Sequence, residues 1–148
     1  MVDSRASVEV PAILTPQDVQ RLHQACPDLD DWPLKWRYED SDIPVGQRIV
    51  EAFTPFLLYL LDQRLARSTV SRHRDNLWLL GGELIKRRYD DKKLARMDAR
   101  AAISHLIDDE AGPLMYPSIS ESEQDSLDAT CRKLHKFIQA SNRSDLTK

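Results

Sequence analysis

The sequence predicts an all-α protein, a single compact bundle of about five helices, and three observations support this prediction. Glycine is scarce, with 4 in 148 residues, and the apolar–polar alternation of half-buried strands is nearly absent. Apolar residues recur at helical spacing in several long segments. Signals for helix starts and stops separate those segments. Hydrophobic residues at 41% and charged residues at 30% are typical of globular chains and exclude a disordered or collagen-like one.

The length suits one domain with one core. Residues 1–14 are expected to be a flexible arm, residues 15–140 the helical domain, and residues 141–148 a frayed tail. No apolar run approaches the ~20 residues of a membrane helix, and the first residues lack the basic-then-apolar order of a secretory signal. Cys26 and Cys131 lie far apart, which indicates free thiols and a reducing, cytoplasmic location.

The first helix is predicted to begin after Thr15, because an N-cap threonine precedes Pro16 and an acidic residue at the third helical position, Asp18. This helix is expected to end near Cys26. The following segment, 27–42, is rich in aspartate, proline and tryptophan and is interpreted as an irregular connector. Three aromatic residues are expected to hold the connector against the core: Trp32, Trp36 and Tyr38.

The most apolar segment, 45–65, is hydrophobic on nearly every side of a helical projection. Such a pattern is typical of a central, buried helix. Pro55 either kinks this helix or begins a second one capped by Thr54, and the sequence leaves both possibilities open.

A long helix is predicted for 69–89, with Ser68 and Thr69 as its cap. Its apolar face contains Leu77, Trp78, Leu80, Gly81, Leu84 and Ile85. Gly81 lies at the centre of that face, where a missing side chain allows close approach at a cost of ~1 kcal/mol in helix propensity. Arg74 falls on the same face and either reaches solvent or pairs with an acidic group.

Two further helices are predicted in the last third of the chain. One runs from about 98 to 109 and is broken by Gly112 and Pro113. The other begins with a capping box at Ser120 and Glu123. Its apolar stripe consists of Leu127, Cys131, Leu134 and Ile138.

Basic and acidic side chains are distributed unevenly along the chain. Residues 1–63 carry a net charge of −6, residues 64–100 carry +6, and residues 101–148 carry −3. A basic block favours binding to a phosphate backbone, because each neutralised phosphate releases counterions. The alternative interpretation is a solvated helix and loop. The overall charge of −3 favours that alternative, since nucleic-acid-binding domains usually have a basic balance.

No motif that supports catalysis or metal binding is present. His23, His73, His105 and His135 are not spaced as zinc ligands. A Gly-rich phosphate loop, a G-x-S-x-G nucleophile elbow and an H-E-x-x-H helix are also absent. We therefore expect no enzymatic activity, no catalytic residues, no metal site and no cofactor.

The segment 53–86 contains an apolar helix end of the form F-L-x-Y-L, a short turn, and a helix start of the form [ST]-T-[VI]-x-x-[YH]-x-x-[ND]-L. The matching residues are Phe56, Leu57, Leu58, Tyr59, Leu60, Ser68, Thr69, Val70, His73, Asn76 and Leu77. This pattern resembles the core-binding domain of tyrosine recombinases and phage integrases. The resemblance implies a SAM-like helical bundle that clamps one side of duplex DNA. The family's catalytic His-x-x-Arg pair is absent here, so recombination by this chain alone is not expected.

The resemblance and the basic block together predict duplex DNA as the partner, contacted at the turn and along the helix that follows. The candidate DNA-binding residues are Arg64, Arg67, Ser68, Thr69, Arg72, Lys86, Arg87, Lys92 and Lys93. Free N–H groups at a helix start also bind phosphate, which independently favours Ser68 and Thr69. The alternative function is a protein-interaction or self-association module without a role in nucleic-acid binding. Its apolar surface would include Trp32, Trp36, Leu79 and Tyr116.

Overall fold

The computed structural model describes residues 14–146, which form seven α-helices and one short 3-10 helix. The elements are α1 (Pro16–Ala25), a 3-10 helix (Leu29–Asp31), α2 (Trp32–Trp36), α3 (Asp42–Asp62), α4 (Arg67–Arg88), α5 (Lys92–Ala95), α6 (Ala99–Leu106) and α7 (Glu121–Leu146). No strand occurs within this range, so the all-α prediction is confirmed, although the helices outnumber the five predicted. No helix in the same range is long and apolar enough to cross a membrane. The expected arm lies outside the described residues, apart from Leu14.

The core is built around α3 and α4, which pack against each other while α2 covers α3 and α7 covers α4. The fully buried apolar side chains of α3 and α4 are Ile49, Phe53, Phe56, Leu60, Leu77, Leu80, Leu84 and Ile85. From α7, the buried residues Leu127, Cys131 and Leu134 complete this core, as their spacing predicts. The central position predicted for the most apolar helix is therefore confirmed.

Helix α3 is continuous through Pro55, which decides the question that the sequence left open. Proline has no N–H to donate to the carbonyl oxygen of Glu51, four residues earlier. Both Pro55 and Glu51 are exposed, so water can reach that carbonyl. Thr54 does not cap a second helix, because its hydroxyl donates to the Val50 carbonyl oxygen at 2.9 Å within the same helix.

The segment 27–42 is not an irregular connector, because it contains the 3-10 helix and α2. Trp32 and Trp36 are 1% and 5% exposed, and they hold the segment against the core as predicted. Tyr38 is 66% exposed, so the prediction for this aromatic residue is wrong. Its ring instead meets the edge of the Tyr89 ring, with centroids 5.5 Å apart, on the surface.

Two glycines allow α2 to lie between α3 and α4. A Cβ at Gly46 would lie 2.9 Å from the Cα of Pro33, and a Cβ at Gly81 would overlap the Trp36 indole ring. The Trp36 indole N–H donates to the Trp78 carbonyl oxygen at 3.0 Å and fixes the ring against α4. The close approach predicted at Gly81 is thus present. The element that approaches Gly81 is α2, through Trp36, in the segment that the sequence analysis interpreted as a connector.

The capping box predicted for the last helix is confirmed. The Ser120 hydroxyl accepts a hydrogen bond from the Glu123 backbone N–H at 3.1 Å, and the Glu123 carboxylate accepts from the Ser120 N–H at 2.8 Å. The bond from the Ser120 N–H, together with the Ser120 hydroxyl, holds the pKa of the Glu123 carboxyl below its usual value, although desolvation opposes this effect. The equivalent box at Thr15 and Asp18 begins α1.

We expect a Ser120→Ala variant to lose about 1 kcal/mol of unfolding free energy, because the first turn of α7 loses its side-chain acceptor. Urea denaturation followed by circular dichroism measures the loss. Ser118→Ala is the matched control, because this exposed serine lies just before the helix and its hydroxyl has no partner among the described residues. Equal stability of the two variants would contradict a capping role for Ser120.

The region between α4 and α7 differs from the prediction in several details. The Asp91 carboxylate accepts a hydrogen bond from the Leu94 N–H at 3.0 Å and caps the start of α5. This helix has only four residues, so hydrophobic periodicity does not predict it. Helix α6 begins after Asp98 as expected and ends at Leu106, before the predicted end at 109. The expected tail 141–148 is helical as far as Leu146. Within this segment, Arg100 of α6 donates to the Asn142 side-chain oxygen at 3.4 Å.

Both cysteines are free, as predicted, and both are buried. Burial raises the pKa of Cys131 to about 12, and burial together with the neighbouring Asp28 charge raises the pKa of Cys26 to about 12. Both groups therefore remain protonated thiols at neutral pH and act as small apolar side chains.

Candidate nucleic-acid interface

Helix α4 begins without a side-chain cap. Its N-cap residue is Ala66, so the cap predicted at Ser68 and Thr69 is wrong. The N–H groups of Thr69 and Val70 donate to the Ala66 carbonyl oxygen at 3.0 and 3.1 Å. Among the described residues, no acceptor takes the N–H groups of Arg67 and Ser68. The start of α4 thus presents free donors and the positive end of the helix dipole.

The turn before α4 brings arginine side chains to this helix start. Arg64 has a φ of 57°, the left-handed conformation, which reverses the chain between α3 and α4. Arg64 in the turn and Arg67 and Arg72 on α4 are all exposed. Thr69 lies between the two helical arginines and is half-buried. No acidic side chain of the described residues lies within 4.0 Å of these three guanidinium groups.

Helix α7 adds two lysines that the sequence interpretation did not include. The α4–α7 contact is fixed by the Thr130 hydroxyl, which lies 2.7 Å from His73 Nδ1 and 2.8 Å from the Asn76 amide nitrogen. Lys133 lies three residues beyond Thr130, half-buried, and Lys136 follows one turn later, exposed. The charges of Lys133 and Arg72 both act on His73, so these two residues flank the α4–α7 contact. We group five cations by their positions along the chain as the N-terminal basic cluster: Arg64, Arg67, Arg72, Lys133 and Lys136.

The pKa of His73 is lowered by burial and by the positive charges around it. Burial lowers the pKa below the usual value of the imidazole, and the charges of Lys133 and Arg72 lower it further. His73 is therefore neutral at neutral pH. Because Asn76 donates to Thr130, the Thr130 hydroxyl can donate to Nδ1 of His73, which leaves the imidazole proton on Nε2.

Beyond the N-terminal basic cluster, the exposed face of α4 carries acidic and apolar residues instead of basic ones. Asp75, one turn after Arg72, is exposed and forms an ion pair with Arg74 at 3.2 Å. Trp78, which the helical projection places on the apolar face, is 39% exposed, and Leu79 beside it is half-buried. The middle of the face is thus acidic and apolar, and it separates the basic residues of the two helix ends.

The remaining candidate residues lie at the other end of α4 and on α5. Lys86 is 14 residues after Arg72, which corresponds to about 21 Å along the helix axis. Lys92 and Lys93 on α5 are exposed. Arg87 differs from these lysines, because its guanidinium already pairs with Glu83 at 2.6 Å and donates to the Leu114 carbonyl oxygen at 3.0 Å. We call Lys86, Lys92 and Lys93 the C-terminal basic group.

The apolar surface expected for a protein-interaction module is only partly present. Trp32 and Trp36 belong to the core, as their burial shows. Leu79 is half-buried, and Tyr116 is 48% exposed in the loop before α7. These four residues therefore do not form one exposed apolar patch.

No family model, curated protein or solved structure matches this chain. The resemblance to recombinase core-binding domains, the absence of enzymatic activity and the cytoplasmic location therefore remain predictions. Within residues 14–146, no group of three or more histidine, cysteine or acidic side chains is arranged to hold a metal ion.

Proposed function

We propose that this chain binds duplex DNA without acting on it chemically, and that the N-terminal basic cluster with the uncapped start of α4 forms the interface. One observation carries the proposal. Three arginines without acidic partners among the described residues surround a helix start whose first N–H groups are free. Guanidinium groups and helix N-terminal N–H groups are the donors that proteins use to hold phosphate oxygens.

These donors position the protein on the DNA backbone. Arg67 and Arg72 can each donate two parallel hydrogen bonds to a phosphate, and the exposed Ser68 hydroxyl can donate one more. Contacts of this kind carry no direct sequence information, so we expect binding with weak sequence preference. The integrase-like pattern of the same segment is consistent with a backbone clamp.

The interface is proposed to end before Asp75. A carboxylate facing the duplex would be repelled by phosphate, and Asp75 lies one turn from Arg72 on the exposed face of α4. The C-terminal basic group lies beyond this acidic and apolar stretch. It is therefore excluded from the proposed interface, although the basic block of the sequence includes it.

Binding of a fluorescent 30-base-pair duplex, measured by anisotropy over a range of salt concentrations, tests the proposal. If three to five cations of the cluster neutralise phosphates, the slope of log Kobs against log salt is expected to lie between about −3 and −4.5. A folded sample that does not bind the duplex even at low salt would contradict the proposal.

An Arg67→Gln/Arg72→Gln variant is expected to bind about tenfold more weakly at moderate salt, with a slope shallower by about 2. The matched control is Lys92→Gln/Lys93→Gln, which removes the same charge from exposed residues outside the cluster. The control is expected to bind like the unmodified protein. An equal loss in both variants would place the interface elsewhere or show binding to diffuse charge.

A further inference from the structure

A cleft of about 500 Å³ opens on the surface beside the middle of α4, outside the proposed DNA interface. Its lining residues are Asp28, Trp32, Arg74, Asp75, Trp78 and Leu79. We call it the acidic cleft, because two carboxylates and one guanidinium face it. Its volume is within the range of sites that hold a small ligand or a few side chains of a partner.

The carboxylate of Asp28 has no cationic partner among the described residues. Its two oxygens accept hydrogen bonds from the Trp32 indole N–H at 3.2 Å and from the Cys26 thiol at 3.5 Å, and both donors are neutral. The charge of Asp28 is therefore not compensated locally. Asp30 and Asp31 follow on the 3-10 helix and are both exposed, although Asp30 lies 3.2 Å from Nε2 of His23.

Arg74 is already held in place by the protein. Its guanidinium donates to the Ala25 carbonyl oxygen at 3.1 Å and, through two nitrogens, to one carboxylate oxygen of Asp75 at 3.2 Å. The other Asp75 oxygen has no partner among the described residues. The cleft thus combines two carboxylates with free acceptor capacity and a single cation that is already engaged.

Aromatic and apolar side chains complete the cleft. Trp78 is 39% exposed, an unusual exposure for an indole, and Leu79 beside it is half-buried. The Trp32 ring is fixed by its bond to Asp28. An exposed indole next to the carboxylate of Asp28, which has no cationic partner among the described residues, suits a delocalised cation, because such a cation can lie over the ring and donate to a carboxylate at the same time.

We propose that the acidic cleft is the docking site for an arginine side chain of a partner protein. Charge complementarity supports this occupant, because the cleft and the adjacent 3-10 helix carry an excess of carboxylates. Arginine fits better than lysine, since its guanidinium is more weakly hydrated and binds aromatic faces and carboxylates through a planar fork. The same carboxylates would repel a nucleic-acid backbone, so this site is distinct from the proposed DNA interface and independent of it.

Titration of 15N-labelled protein with capped tripeptides tests the proposal. The probes are acetyl-Gly-Arg-Gly-amide and its isosteres with citrulline or lysine in place of arginine, followed through the three tryptophan indole N–H signals. We expect the arginine peptide to shift the Trp78 and Trp32 signals in a saturable manner, while the citrulline peptide shifts neither. Affinity for the lysine peptide is expected to be about five- to tenfold weaker.

Two variants and one control connect the binding to the cleft. Asp28→Asn keeps an acceptor for Trp32, Trp78→Ala removes the exposed indole, and both are expected to weaken binding of the arginine peptide at least fivefold. Asp109→Asn changes the same charge at an exposed aspartate outside the cleft and should leave binding unchanged.

Several results would overturn the proposal. These are an absence of shifts at millimolar arginine peptide, equal shifts with the citrulline or lysine peptide, equal binding of free spermidine, or a dimer in sedimentation experiments that the Trp78→Ala variant does not form. No DNA is present in these measurements, so their result is independent of the test of DNA binding.

Discussion

A Gly81→Ala variant is expected to lose about 1–3 kcal/mol of unfolding free energy, although alanine is the better helix former by ~1 kcal/mol. The added methyl group would overlap the far edge of the Trp36 indole. That ring is 5% exposed, and its N–H donates to the Trp78 carbonyl oxygen, so the ring cannot move aside without losing packing and a hydrogen bond. Urea denaturation measures the loss.

The neighbouring glycine provides the control for this substitution. A Cβ at Gly82 would lie 3.2 Å from Cδ1 of Trp36, a contact that a shift of a few tenths of an ångström relieves. Gly82→Ala gains the same helix propensity, so we expect a change in stability much smaller than that of Gly81→Ala. If Gly81→Ala is as stable as Gly82→Ala, α2 does not pack between α3 and α4 as described.

An Asp42→Ala variant is expected to be destabilised by about 3 kcal/mol, because this buried carboxylate joins the start of α3 to the end of α4. Asp42 is 3% exposed. One of its oxygens accepts from the Tyr89 hydroxyl at 2.6 Å and from the N–H groups of Tyr38 and Glu39 at 2.9 and 3.1 Å. Alanine leaves these donors without their acceptor. Tyr89→Phe removes only one of the three bonds and should destabilise less.

The contribution of Asp42 is also expected to depend on pH. Burial alone would raise the pKa of this carboxyl, but hydrogen bonds from Tyr89, Tyr38 and Glu39 and the nearby Arg88 charge outweigh burial and hold the pKa below its usual value. A carboxyl with a lowered folded-state pKa stabilises the protein above its unfolded value of about 3.9, and this stabilisation is lost as the pH falls through the folded value. The difference in stability between the unmodified protein and Asp42→Asn should therefore stay constant above about pH 5 and shrink as the pH falls below about 4. A constant difference would contradict the carboxylate role.

The long helices could be predicted because their signals are local. Thr15 and Ser120 begin α1 and α7 through capping boxes that can be recognised from a few adjacent residues. Helical periodicity also places Leu127 and Leu134 in the core correctly. Such elements depend on contacts within three or four residues, and a single sequence contains that information.

The short elements could not be predicted in the same way. Helix α2 has five residues, too few for a periodic pattern, and it is held by tertiary contacts with Gly46 and Gly81. The helix start at Arg67 is equally non-local in origin. Ser68 resembles a cap in the sequence, but after the left-handed residue Arg64 the helix begins two residues earlier, with Ala66 as its N-cap. Backbone geometry of the turn therefore overrides the preference of serine for the N-cap position.

The candidate site was predictable in its composition and only partly in its arrangement. The basic block of the sequence contains Arg64, Arg67 and Arg72, which the structure brings to one helix start. Lys133 comes from a segment of net negative charge, and only the packing of α7 against α4 brings it close to His73, on which Arg72 also acts. The ion pair between Arg87 and Glu83 could have been predicted from the sequence, because four residues is the spacing of a helical ion pair.

Two-dimensional 1H–15N NMR of the full chain, titrated with the 30-base-pair duplex, shows residue by residue which surface binds DNA. We expect the largest backbone shifts at residues 64–72 and around Lys133, with small changes at 86–93 and around Asp28. Shifts concentrated at Lys92 and Lys93, shifts spread evenly over every exposed cation, or no shifts at low salt would contradict DNA binding at the start of α4.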